Sequence, residues 1–411
     1  MRKNSYFSTV LALYINYILQ GMAAIILAQN MVPLMAQLNT NAAGISWVIS
    51  AIGIGRILIL YFAGRMSDQY GRKLIVWLGM LSYVIFFGGL LISQNVWMAI
   101  FFTLFAGFAN ALLDTGTYPA LLEAYPNSNG FMSVLNKAFI SLGQLFLPIL
   151  VGFLVANNLY YGYSFILCLV AIIANLLFMW KRRFPKMVQT DSVAEEVATT
   201  PTPSKFKQKP KFWIEGIALT LFGFTSVSTF NIIVLWLPRY AENLAQMSKP
   251  SSLMLISLYS IGSLISVFAT AFAVKKWIQP IQMIVFCSLA SLLVLVLMVF
   301  FPTPLGCSIA AFGIGIFSSG GIWQLALSIL LEFFPKNKGR MTSYYTLMTS
   351  FSVMLIPLIT GYLSEYNVLY VMLFNCGVTL IGVFISLLVA IRYHKLVEPN
   401  EKNRTLANVI E

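Results

Sequence analysis

Twelve separate apolar stretches recur along this chain, each close to the ~20 residues that cross a bilayer as a helix. They fall at about 7–28, 43–64, 74–93, 97–122, 131–155, 161–181, 212–238, 251–273, 281–300, 305–331, 340–363 and 367–391. In hydrocarbon every backbone N–H and C=O must find a partner within the protein, and segments this long do so as helices. The expected fold is an all-α membrane protein of twelve transmembrane helices. Composition agrees: 59% of the 411 residues are hydrophobic and 9% charged, where soluble domains carry about 25% charged residues. Arg2 and Lys3 precede an apolar run of full span length, which reads as a retained first helix rather than a cleaved leader.

A net charge of +13 raises the possibility of a nucleic-acid partner, but the positions of the charges explain it otherwise. With the N-terminus cytoplasmic, nearly every Lys and Arg outside the spans falls on the cytoplasmic side, while the opposite side holds Arg239 and Lys249. That is the positive-inside pattern. It places both termini in the cytoplasm and makes lipid, not nucleic acid, the partner of the surface. Cys168, Cys287, Cys307 and Cys376 all lie in apolar runs without metal-ligand spacing, and His394 falls among terminal cations. No metal or cofactor is expected, and no Walker-type phosphate loop is present.

The longest polar segment, with Glu195, Glu196, Pro201, Pro203 and a Lys-rich end, reads as a linker over 184–211. It separates a six-helix set within 1–183 from another within 212–392, leaving 393–411 as a cytoplasmic tail. The two sets are copies at a constant offset of 209 positions. Leu121-Leu122-Glu123 meets Leu330-Leu331-Glu332, Pro126 meets Pro335, Met132 meets Met341, Pro148 meets Pro357, and Gly152 meets Gly361. Six is an even number of crossings, so the repeats run parallel, as in one architecture of secondary transporters.

Between the second and third stretches stands Gly64-Arg65-Met66-Ser67-Asp68-Gln69-Tyr70-Gly71-Arg72-Lys73. It resembles the G-x-L-x-D-R/K-x-G-R-R/K loop of the major facilitator superfamily, with Met66 in place of Leu and Gln69 in place of a cation. The motif reads as a short cytoplasmic turn in which Gly64 and Gly71 permit tight backbone. The resemblance implies a gate that latches the two halves when the cavity opens outward. Gly64, Asp68, Gly71, Arg72 and Lys73 would meet a helix start near Gly339-Arg340, and Glu123 and Glu332 would pair with loop cations.

Three ionisable residues lie inside spans: Arg56, Asp114 and, more shallowly, Lys137. Arg56 and Asp114 sit at matched depth, roughly 12–14 Å from the cytoplasmic boundary at 1.5 Å per residue. Opposite charges at equal depth are expected to pair. Asp114 could carry a coupling proton, Arg56 could hold an anionic solute, or the pair could be structural. Lys137 is expected to snorkel to the interface. Asn110, Asp114, Thr117 and Tyr118 share one face of their helix. The superfamily fold implies a cavity lined by helices 1, 4, 7 and 10, which offer Asn16, Tyr17 and Gln20, then Asn110 and Thr117, then Ser228 and Asn231, then Trp323 and Gln324. Each of these polar residues is equally of the type that joins helices to one another.

The function expected is a secondary active transporter in the cell membrane. It would move a small organic solute by alternating access, as a proton-coupled symporter and as a monomer. A drug/proton antiporter and a non-transporting membrane sensor are the alternatives. An enzyme is not expected, because no catalytic constellation and no extramembrane domain to hold one is present.

Overall fold

The computed structural model describes residues 6–125, 129–185, 210–276 and 278–396. Every regular element among them is a helix. Twelve are long and apolar enough to span a membrane. We number these spans α1 (Phe7–Gln29), α2 (Ala42–Tyr70), α3 (Arg72–Ile92), α4 (Val96–Ala124), α5 (Asn129–Ala156), α6 (Tyr163–Trp180), α7 (Phe212–Asn243), α8 (Lys249–Lys276), α9 (Pro280–Phe300), α10 (Pro304–Phe333), α11 (Lys338–Tyr366) and α12 (Val368–Leu396). A short helix, Met31–Gln37, follows α1.

Helices within each half pack on one another, α2 and α3 against α4 and α7 against α11 and α12. The halves are joined chiefly by α2 packed on α11 and α5 packed on α8, with a smaller contact of α1 on α7. With an even number of spans per half, the start of α1, the α2–α3 turn and the end of α12 share one face, called here the loop face.

Helix ends follow local chemistry. Asn41 caps α2 by accepting from the Gly44 amide at 3.0 Å, and Asn95 caps α4 by accepting from Met98 at 2.9 Å. The start of α7 is tied to the end of α12 by a buried carboxylate. Glu215, fully buried, pairs with Arg392 at 2.7 Å and accepts from the Lys211 amide at 2.7 Å. The sequence reading had not singled out this pair.

One expectation is corrected, and two further features stand beside it. The motif after Gly64 is not a loop, because α2 continues through it to Tyr70. Gly71, at φ +90°, makes the whole turn before Arg72 opens α3. One residue in left-handed backbone suffices, so Gly64 stays helical. α12 runs on to Leu396 and places His394 and Lys395 in its last turn. The Lys395 ammonium is favourable there, beside the helix's terminal carbonyls. Finally, α10 is broken: a π-turn at Gly315–Ser319 and the pair Gly320-Gly321 interrupt it before Ile322. The signal was present in Ser318-Ser319-Gly320-Gly321, a run of small residues with weak helix preference. Most of the expected linker, 186–209, and 397–411 lie outside the described residues.

Candidate functional site

Asp114 lies on α4, ten residues from its end, and Arg56 lies at the centre of α2. These helices pack closely because small residues face one another. A methyl group added at Gly55 would collide with the Leu104 carbonyl, and one at Gly107 with the Ile52 carbonyl. The close approach brings Arg56 Nη2 to 3.2 Å from Asp114 Oδ2. Gln20 of α1 donates its amide to the other oxygen, Oδ1, at 3.2 Å. The carboxylate is thus held by three helices. It is not sealed, since the side chains remain 21% (Arg56) and 34% (Asp114) exposed. Spare capacity remains on both supports: Gln20 Oε1 and Arg56 Nε are buried without a hydrogen-bond partner.

The neighbouring candidates divide into two sets. Tyr17 is buried within electrostatic reach of Asp114 and Tyr118. Thr117 is fully buried with its hydroxyl unpartnered, and Tyr118 is exposed. Asn231 and Gln324 are half-buried, and the Trp323 ring lies 5.7 Å from Tyr345, whose hydroxyl donates to the Trp323 carbonyl. The other set joins helices. Asn110 accepts from Tyr83 of α3 at 2.6 Å. Asn16 accepts from Asn175 of α6 at 2.7 Å. Ser228 is fully buried against Ser352 of α11 at 2.8 Å. Sequence spacing places a residue on a face but cannot say which neighbour that face meets.

A second polar pocket lies inside the second half. Thr225, Ser226, Thr229, Ser291 and Ser318 surround about 20 Å³ beside the break in α10, room for about one water.

The motif region is built into the first half. Pro119 in α4 has no amide to donate to the Thr115 carbonyl. Ser67 of α2 donates to that carbonyl instead, at 2.9 Å, and itself accepts from Arg72 at 2.7 Å. Arg72 also reaches Glu123 at 3.4 Å, so the expected pairing of Glu123 with a motif cation is present. Lys73 donates to the Trp180 carbonyl at 3.0 Å. In the second half, Glu332 accepts from Tyr393 at 3.3 Å. The side chains of Asp68, Lys275 and Lys276 lie outside the described residues.

The contacts between halves run from the far face to mid-membrane. The Ala43 amide donates to Glu365 at 3.4 Å, Trp47 to Tyr362 at 3.4 Å, and Ser257 to the Leu145 carbonyl at 2.9 Å. Deeper, Ser141 meets Ser263 at 3.2 Å, and Gly53 lies directly against the Met354 backbone. At the loop face, Gly64 and Gly339 each stand in open space, with nothing within 4 Å of an added methyl. Arg340 is exposed and donates to Tyr344 of its own helix at 3.2 Å. Among the described residues, the halves are in contact toward the far face, while Gly64 and Gly339 at the loop face stand clear of the other half.

A family profile for the Major Facilitator Superfamily matches residues 13–319 and 307–411. The chain belongs to this superfamily. Its members are transporters rather than enzymes, and secondary transport across the membrane is the activity. The sequence is 38% identical over 401 residues to the inner membrane transport protein YdiN of Escherichia coli (strain K12), covering 96% of this chain and 94% of that protein. It is 36% identical over 391 residues to the uncharacterized MFS-type transporter YfkL of Bacillus subtilis (strain 168), covering 94% and 97%. The crystal structure of a D-xylose-proton symporter superposes with a TM-score of 0.73, covering 93% of this chain and 97% of that one at 13% identity. The twelve spans and the inner-membrane relatives make this a multi-pass protein of the cell membrane.

Proposed function

We propose that this transporter is a proton-coupled symporter that carries a small organic solute into the cell. The observation behind this reading is the Asp114 carboxylate, held at mid-membrane by Arg56 and Gln20 yet one-third exposed. A carboxylate at that depth is uncommon unless it serves an ion or proton pathway. Asp114 is compensated by Arg56 in this conformer. When the Arg56 side chain swings off Asp114 in another state of the cycle, a proton takes over the compensation, and the charge state of Asp114 follows the direction in which the cavity opens. The halves 1–183 and 212–392 are the rocking bodies, with 184–211 as their tether. The cation distribution puts the loop face in the cytoplasm, so the present arrangement faces inward. Gly64, Asp68, Gly71, Arg72, Lys73 and Arg340 would then meet when the cavity turns outward, with Glu123 and Glu332 anchoring each side. The protein acts as a monomer.

Purified protein in vesicles containing a pH-sensitive dye tests this. A panel of sugars, organic acids and cationic dyes is added outside. Acidification of the lumen by one solute class is expected. A solute that accumulates with no accompanying pH change overturns the proton-coupled reading.

A further inference from the structure

Three charged side chains among the described residues lie eight or more residues from the ends of their helices: Arg56, Asp114 and Lys137. Arg56 and Asp114 neutralise each other at 3.2 Å. Lys137 does not share in that pair, and no carboxylate of the described residues stands within 4.0 Å of its ammonium.

Nor does Lys137 behave as an interfacial lysine. It lies eight residues into α5, about 12 Å along the helix axis. Its ammonium is directed across the junction between the halves, 5.6 Å from the centre of the Phe230 ring on α7. One turn further along α5, Ser141 meets Ser263 of α8 in the seam between halves. On an adjacent face of α5, one turn from Lys137, Ile140 packs against Gly21 of α1, the neighbour of the Gln20 that holds Asp114. Lys137 therefore stands where the two halves converge, on a helix packed against the α1 segment that carries Gln20.

An ammonium at this depth is unfavourable without an anion, and a ring face compensates it only in part. We propose that Lys137 anchors the negative group of the transported solute, and that this solute is a small organic monocarboxylate. One uncompensated cation matches one negative charge, and a lysine suits a carboxylate as a point charge. Phe230 borders the seam as an apolar surface for the solute's carbon skeleton. The assignment rests on the transport reading and adds the substrate class to it. A monoanion moving with one proton carries no net charge, so its uptake follows a pH gradient and ignores the membrane potential.

The test uses two matched pairs of probes on the full-length protein: D-gluconate with D-glucose, and benzoate with benzyl alcohol. Binding in detergent is read by thermal stabilisation, which needs no coupling and so separates this inference from the proton reading. At least one carboxylate is expected to bind at least tenfold more tightly than its neutral twin. Lys137→Gln should remove that difference while leaving the ligand-free melting temperature within a few degrees, and Lys137→Arg should keep part of it. Equal binding of both twins, absence of binding by either carboxylate, or carboxylate binding unchanged in Lys137→Gln overturns the assignment. Carboxylate binding with no proton movement in vesicles would leave the assignment standing and overturn only the coupling.

Discussion

The Ser67 hydroxyl donates to the Thr115 carbonyl at 2.9 Å, in the place of the amide that Pro119 lacks. The motif after Gly64 is thereby fastened to α4 one residue from Asp114. Replacing Ser67 with Ala leaves that half-buried carbonyl without its side-chain donor and takes an acceptor from Arg72. A loss of about 1–2 kcal/mol is expected, read as a lower melting temperature in detergent, with Ser67→Thr restoring most of it. An unchanged melting temperature for Ser67→Ala would mean the contact contributes nothing.

Gly71 and Gly64 should respond oppositely to alanine. Gly71 carries the positive φ of +90°, so Gly71→Ala is expected to cost about 1–3 kcal/mol in backbone strain. Gly64 is helical with open space around it, so Gly64→Ala should be neutral or stabilising by up to about 1 kcal/mol in this conformer. Melting temperatures of the two variants, compared side by side, check the point. Equal destabilisation would restore the view that both glycines form a turn.

The Arg56–Asp114 pair should show coupling in a double-mutant cycle. Each single change, Arg56→Gln or Asp114→Asn, leaves a charge without its partner, whereas the double change leaves none. Because Asp114 is one-third exposed, solvent screening reduces the coupling to about 1 kcal/mol. The double variant should therefore be more stable than the sum of the single losses allows. Strict additivity would show that the pair does not interact in the membrane protein as folded.

Gly53 sets the close approach of α2 to α11, since a methyl there meets the Met354 backbone. Gly53→Val should wedge the far face apart. Solute exchange is expected to fall at least tenfold while the protein remains monodisperse and helical. Retention of wild-type exchange would show that closure of this face is not part of the transport cycle.

The span count, the six-plus-six division and the Arg56–Asp114 pairing were legible in the sequence, because each follows from a one-dimensional quantity: apolar length, a fixed offset, or depth from a boundary. The break in α10 was not, since apolar length reports a span and is silent on its internal hydrogen bonding. The helical course of Gly64 was hidden for a related reason. A glycine-flanked polar segment looks like a turn when the helix end is taken from the membrane edge rather than from backbone geometry. Asn16 and Ser228 show the remaining limit. Their helical faces were readable, but Asn175 and Ser352, which meet them, are more than a hundred residues away. The sequence suggests that Lys137 snorkels to the interface, and only the position of Phe230 shows its direction.

The role of Asp114 is the centre of the account, and one comparison in vesicles tests it most directly. Uphill accumulation driven by an imposed pH gradient and solute exchange at equal pH are measured for wild type and Asp114→Asn. Asparagine keeps the size and an acceptor for Gln20, and it cannot carry the proton. The account predicts that Asp114→Asn loses accumulation and retains exchange. Normal uphill accumulation by Asp114→Asn would contradict it.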